Sequence, residues 1–271
     1  MPSRRRILWL GGLAAAALIA AAVLLAPRLI GSFWEVRSSN PVRRGIARAQ
    51  ELGCFTCHGH QGRKGIRDPG SEDGEVPAWS GGVWMMYLED EQEIREFILD
   101  GISERRVASV TALQQLENAA IAMPAYREVL RGSDLDDLTA AFLVLSRMRG
   151  PAKNTPEERG WRLARHWQCL DCHGPGASGG TSNPGSFAGF IPGWYGSDFE
   201  DLVRDRVEFD AWIHDGKIER LASHPIASRF IESQRIQMPA YPDLTLEELD
   251  DLWAYAAWLG ETGGGVRIPA P

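Results

Sequence analysis

The sequence is sparing with cysteine, having four in 271 residues, at Cys54, Cys57, Cys169 and Cys172. All four belong to two C-x-x-C-H runs, so none is left for a disulfide framework or a thiol nucleophile. Positive charge is short as well. Arg4, Arg5, Arg6 and Arg28 precede residue 31, which leaves 25 basic against 36 acidic side chains over the rest of the chain, a net of −11. Such a balance does not neutralise phosphate backbones, and nucleic acid is not an expected partner. No segment alternates in the manner of a half-buried strand, so an all-α fold is expected. Long apolar runs are absent with one exception. Ile7 to Ala26 contains twenty residues without a charge. At about 1.5 Å per residue it would cross about 30 Å of hydrocarbon, with the arginines ahead of it on the cytoplasmic side. Residues 1–30 are therefore expected to be a single N-terminal membrane anchor at a bacterial inner membrane, the remainder facing the periplasm. A signal peptide cut near Ala20-Ala21-Ala22 is the alternative.

What the cysteines form is specific. Cys54-Phe55-Thr56-Cys57-His58 places two thiols one helical turn apart with an imidazole directly after the second, and Cys169-Leu170-Asp171-Cys172-His173 repeats the layout 115 residues later. Two sulfurs at this spacing can form thioethers to haem vinyl groups while the histidine binds iron, so two covalently bound haem c groups are expected. A four-thiolate zinc site is the competing reading. Its pairs usually stand about 15 to 20 residues apart, and it needs no histidine after each pair.

A shift of 115 also aligns Val76-Pro77-Ala78-Trp79 with Ile191-Pro192-Gly193-Trp194, Asp100-Gly101 with Asp215-Gly216, and Met123-Pro124-Ala125-Tyr126 with Met238-Pro239-Ala240-Tyr241. Two copies of one domain are thus expected, over 31–150 and 151–271, joined at the Gly150–Pro156 linker. Each copy should open with a helix (Pro41–Leu52, Pro156–Trp167), carry a middle helix (Asp90–Leu99, Val207–His214), and close with an amphipathic one. Leu135, Leu138, Phe142 and Leu145, and Leu249, Leu252, Ala256 and Leu259, mark the closing pair.

These residues resemble class I cytochromes c, and the tandem resembles membrane-anchored dihaem cytochromes of the cytochrome c4 type. The resemblance rests on Cys54/Cys57/His58, Cys169/Cys172/His173, the later Met-Pro of each half and the closing helices, and it implies an all-α fold around each haem. The stretches Ile102–Ala122 and Lys217–Gln237 are longer than usual ahead of the methionine.

A second iron ligand common to both sites should survive the shift. Met123 maps to Met238, whereas Met85, Met86 and Met148 map to Glu200, Asp201 and Gly263. Iron is thus expected on His58 and Met123 in one site and on His173 and Met238 in the other. His60, His166, His214 and His224 have no histidine counterpart and are read as local groups. Pro69 and Pro184 are candidates to offer a carbonyl to the haem imidazole, with Pro77 and Pro192 competing for that role. Arg105 and Arg220 would pair either with haem propionates or with a neighbouring Glu.

Two functions follow. The first is single-electron transfer in a respiratory or photosynthetic chain, by a carrier or as the haem c subunit of a membrane complex. Its partners would be a quinol-oxidising complex, an oxidase, a reaction centre or a basic cytochrome. The acidic second half, with 11 basic and 18 acidic residues over 151–271, would attract the basic partner. Electrons would then enter at the first haem and leave through the second. The alternative is a dihaem enzyme of the peroxidase or thiosulfate dehydrogenase type, in which one haem keeps an open position.

Overall fold

The computed structural model describes residues 40–265. Among them every regular element is a helix, and the only paired extended backbone is two isolated bridges, Arg67 with Glu75 and Ser182 with Phe190. The expected anchor, residues 1–30, lies outside the described residues. No helix among those described is long and apolar enough to cross a membrane.

Each half opens on a capped helix. Asn40 accepts the backbone N–H groups of Val42 and Arg43, with Pro41 in the first turn, and starts Pro41–Glu51. Thr155 does the same at Glu158, ahead of Pro156–His166. Proline is suited to the first turn because its missing N–H has no helical partner there. The middle helices are Glu91–Asp100 and Arg206–Asp215. Asp90 and Asp205 cap them, accepting from the Glu93 and Glu208 backbone N–H groups, and Gly101 and Gly216 end them at φ 77° and 67°. The closing helices are Asp134–Ser146 and Leu246–Thr262, the second begun by a reciprocal Thr245–Glu248 capping box. The long stretches ahead of each methionine hold further helices: Glu104–Val107 and Val110–Asn118, then Glu219–Ala222 and Ala227–Ser233.

The opening and closing helices of each half cross in contact. Gly45 and Gly160 make this crossing, because a Cβ at either would overlap a backbone carbonyl, that of Asp137 or of Asp251. Arg44 then grips Asp137 through two nitrogens at 2.9 and 2.6 Å, and Arg159 grips Asp251 at 2.8 and 2.7 Å. Asp137 and Asp251 are 114 residues apart, so the repeat slips by one residue between the Met-Pro turn and the closing helix.

Two separate cores result. Ala49, Phe55, Trp79, Ile94, Leu138 and Leu143 belong to one, and Ala164, Trp194, Phe209, Ile213, Leu252 and Tyr255 to the other. Leu143 and Leu252 are each 1% exposed. Burying such a leucine contributes about 1.5–3 kcal/mol, so each half gains its own driving force.

The halves meet where the opening helix of the first reaches the second. The Asn40 amide donates to the Ser178 carbonyl at 3.3 Å, and the Tyr195 hydroxyl donates to Asn40 Oδ1 at 3.3 Å. Arg43 is buried, bonds to Asp198 at 3.0 Å and lies 3.9 Å over the Phe190 ring. Its counterpart in the repeat is Glu158, which turns instead to Arg162. The junction is therefore built from residues that the repeat does not share.

Candidate cofactor sites

Each C-x-x-C-H run forms a single short helix, Cys54–His58 and Cys169–His173, entered through a left-handed residue, Gly53 at φ 77° or Gln168 at φ 58°. The one-turn spacing brings both thiols of a pair to the same cavity, and all four are free. The first cavity, about 230 Å³, is lined by Cys54, Cys57, His58, Trp79, Met123 and Tyr126 among others. The second, about 460 Å³, is lined by the counterparts Cys169, Cys172, His173, Trp194, Met238 and Tyr241. The expected ligands are thus gathered twice, in two places. Among the described residues no three His, Cys, Asp or Glu side chains converge as metal ligands, and the two cysteine pairs do not build one four-thiolate site.

The imidazoles are oriented by carbonyls. His58 Nδ1 lies 2.7 Å from the Pro77 oxygen and His173 Nδ1 lies 2.8 Å from the Pro192 oxygen. A carbonyl only accepts, so Nδ1 carries the proton and Nε2 is left with its lone pair, as a metal ligand requires. Burial pushes both imidazoles toward the neutral form, against the opposing pull of the carbonyl. The expectation for Pro69 and Pro184 is corrected here. Both prolines are exposed, and their carbonyls accept from the Ala120 and Arg235 backbone N–H groups at 3.1 and 2.9 Å. They tie the loop after each C-x-x-C-H run to the segment ahead of the methionine. Proline supplies no donor, so the carbonyl facing the ring is decided by where the loop turns back, and that is at Pro77 and Pro192.

The walls are apolar and aromatic. Trp79 stands 5.6 Å from His58 and 5.2 Å from Phe55, and Trp194 stands 5.6 Å from His173. Such walls exclude water and strengthen interactions inside. Burial raises the Cys54 thiol and raises Cys169 to about 11, while Tyr126, half-buried and against Cys54, is pushed up to about 12. Burial therefore favours the neutral sulfhydryl at Cys54 and at Cys169.

Arg105 and Arg220 are committed to ion pairs, with Glu93 at 2.7 Å and with Glu208 at 2.6 Å. Of the two readings for these arginines, the neighbouring Glu is the one observed. Met85 and Met86 are exposed, and Met148 packs on the first core. His214 contacts Asp215, His224 accepts from Ile226 and Ala227, and His166 lies edge-on to Trp167. None of these lines either cavity.

Sequence reasoning missed one pair. Asp68 and its counterpart Asn183 line their cavities, each 3% exposed, and each accepts from the backbone N–H two residues ahead of the methionine. The signal was available in the 115-residue shift as an Asp opposite an Asn, each directly ahead of a Pro-Gly-Ser, Pro69-Gly70-Ser71 in one half and Pro184-Gly185-Ser186 in the other. Comparison with protein-family models, with curated proteins and with solved structures finds no match for this chain.

Proposed function

We propose that the chain is a membrane-anchored dihaem cytochrome c, built of two tandem class I cytochrome c domains, that transfers single electrons. One observation carries the reading. The same four groups, two free thiols, an imidazole presenting Nε2 and a methionine thioether, line an apolar cavity in both halves.

In this reading Cys54 and Cys57, and Cys169 and Cys172, hold haem c through thioethers. His58 with Met123 and His173 with Met238 would hold the iron. Haem held there would supply one-electron chemistry at its iron. The chain does the rest. The Pro77 and Pro192 carbonyls fix the imidazole rings, the segments tied down by Asp68 and Asn183 position the methionines, and Trp79 and Trp194 keep water from the imidazoles. Residues 7–26 anchor the domains at the periplasmic face of a bacterial inner membrane. There they exchange electrons with redox proteins such as a quinol-oxidising complex, an oxidase, a reaction centre or a basic cytochrome.

The test is haem content and ligation in the full chain. Intact mass after denaturation should show two covalently attached haems, and the reduced protein at neutral pH should not bind carbon monoxide. One haem, bound zinc, or rapid carbon monoxide binding at either site overturns the proposal.

A further inference from the structure

Asp68 and Asn183 occupy the same place in the two halves and make the same first contact. Asp68 Oδ1 accepts from Ile121 N–H at 3.0 Å, and Asn183 Oδ1 accepts from Ile236 N–H at 2.8 Å. They differ in the second. The Asn183 amide also donates to the Ile236 carbonyl at 2.9 Å, closing a two-point grip on that residue's backbone, which a carboxylate has no proton to make. At one position on the cavity wall, then, the first half buries a carboxylate and the second a neutral amide.

No salt bridge to Asp68 is found among the described residues, so its charge is not cancelled by a cation in contact. The other charged groups lining the cavities are poorer levers. In the first cavity they are Glu72 and Arg106, of opposite sign and bridged by Gln115, at the rim. In the second they are Asp198, ion-paired with Arg43, and Asp201, exposed to solvent. Water screens rim charges, whereas a buried charge acts through a medium of lower dielectric.

We infer that Asp68 holds the first haem at a lower reduction potential than the second, so that electrons pass from the first site to the second. This rests on the proposed haem ligation. A buried negative charge stabilises the ferric over the ferrous state of a neighbouring iron, and the amide at 183 does not. In the forward step one electron leaves the reduced first site, which becomes ferric, and reduces the ferric second site; no bond is made or broken. The direction runs from the half nearer the expected anchor to the half farther along the chain. A single side-chain oxygen, exchanged for nitrogen between duplicated sites, makes the transfer directional.

The experiment is a spectroelectrochemical titration of the full-length dihaem protein, with Asp68→Asn and Asn183→Asp beside the wild type. Met123→Ala assigns the waves. The wild type should show two waves with the lower one at the first haem. Asp68→Asn should move that wave up toward the other and leave the second unchanged, so that in half-reduced protein the electron spreads over both haems. Asn183→Asp should lower the second wave. Asp68→Asn is expected to fold, since Asn183 shows the amide seated in the equivalent frame. Unchanged waves in Asp68→Asn, or a lower wave that belongs to the second haem, overturns the inference. A chain that carries no covalent haem fails at the proposed function instead.

Discussion

The two cavities are alike inside and unlike at the mouth. Over the first, Arg106 donates to Gln115 at 3.1 Å and Gln115 donates to Glu72 at 2.8 Å, with the Arg106 guanidinium 4.9 Å over Tyr87. Over the second, the same three places hold Leu221, Phe230 and Phe187, the two rings meeting edge to face at 5.3 Å. Phe187 is 78% exposed. A linked row of polar side chains has been exchanged for an aromatic pair without disturbing the thiols, imidazole or methionine behind it. The interior keeps its thiols, imidazole and methionine and differs where Asp68 stands opposite Asn183. The rim is free to diverge because water is an adequate partner for either set.

The sameness of the interiors can be broken most severely at the helix crossings. Gly45→Ala and Gly160→Ala each drive a Cβ into a backbone carbonyl and should each cost about 3 kcal/mol or more. Thermal unfolding followed separately at each haem should show the half carrying the alanine melting first. Equal loss in both halves from one substitution would mean that the junction at Asn40 and Arg43 makes them one cooperative unit.

Ligation comes next. Met238→Ala should leave the second haem covalently attached, abolish its methionine-to-iron absorption and lower its potential, and Met123→Ala should do this for the first alone. Spectra that change in neither variant would place the ligands elsewhere.

A smaller effect is expected at the rim. Glu72→Phe with Gln115→Phe copies the second mouth onto the first, and it should cost about 1 kcal/mol by denaturant unfolding for the lost hydrogen bonds. It should also raise binding of an apolar dye toward that of the second half. A dye response equal to wild type would show that the aromatic pair is not what distinguishes the mouths.

The slightest effect is in acid. The Arg220 guanidinium holds Glu208 down to about 2, and Arg105, together with Ser103 and the Glu89 N–H, lowers Glu93 against the opposing effect of its burial. A lowered folded value means these pairs stabilise above the usual carboxylate range and lose that contribution as pH falls toward about 2. Glu208→Gln should therefore lower stability at neutral pH, flatten the acid side of the curve and change little near pH 2, where the wild-type pair has already lost its contribution. A variant whose curve keeps the wild-type slope between pH 5 and 2, roughly the range in which a paired carboxylate loses its contribution, would contradict this.

Much of this organisation was legible in the residues. The C-x-x-C-H runs, the 115-residue repeat and the aspartate caps of the middle helices each follow from short-range chemistry, and helix ends moved by only a residue. Asp90 was read as the first residue of its helix and proved to be its cap, and Asp205, ahead of the expected start at Val207, caps the other, a distinction that depends on φ and ψ and not on residue type. The proline carbonyls were harder. Pro69 and Pro77 both follow His58 in a glycine-rich loop, and the one that faces the ring is chosen by the bridge between Arg67 and Glu75, a contact that no local pattern announces. The pairing of Arg44 with Asp137 was hidden for a related reason. A one-residue slip after the methionine takes Asp137 out of the 115-residue alignment; the closing-helix pattern, Leu135 to Leu145 against Leu249 to Leu259, carries the same slip, and the crossing at Gly45 and Gly160 shows its equivalence to Asp251.

That crossing also sets an order of events in time. Its two helices are the first and last of each half, so residues 52–133 form a loop that the clasp must close against its conformational entropy. Contacts so distant along the chain form late, after local helices and turns have condensed. Until then the Cys54–His58 turn lies on an open chain, where both sulfurs can be approached, and after it they face a walled cavity. On the proposed haem reading, covalent attachment would belong to the interval before the clasp shuts. A half that closed too quickly would shield its own thiols, so the long-range closure at Gly45 and Gly160 would time that step as well as give rigidity.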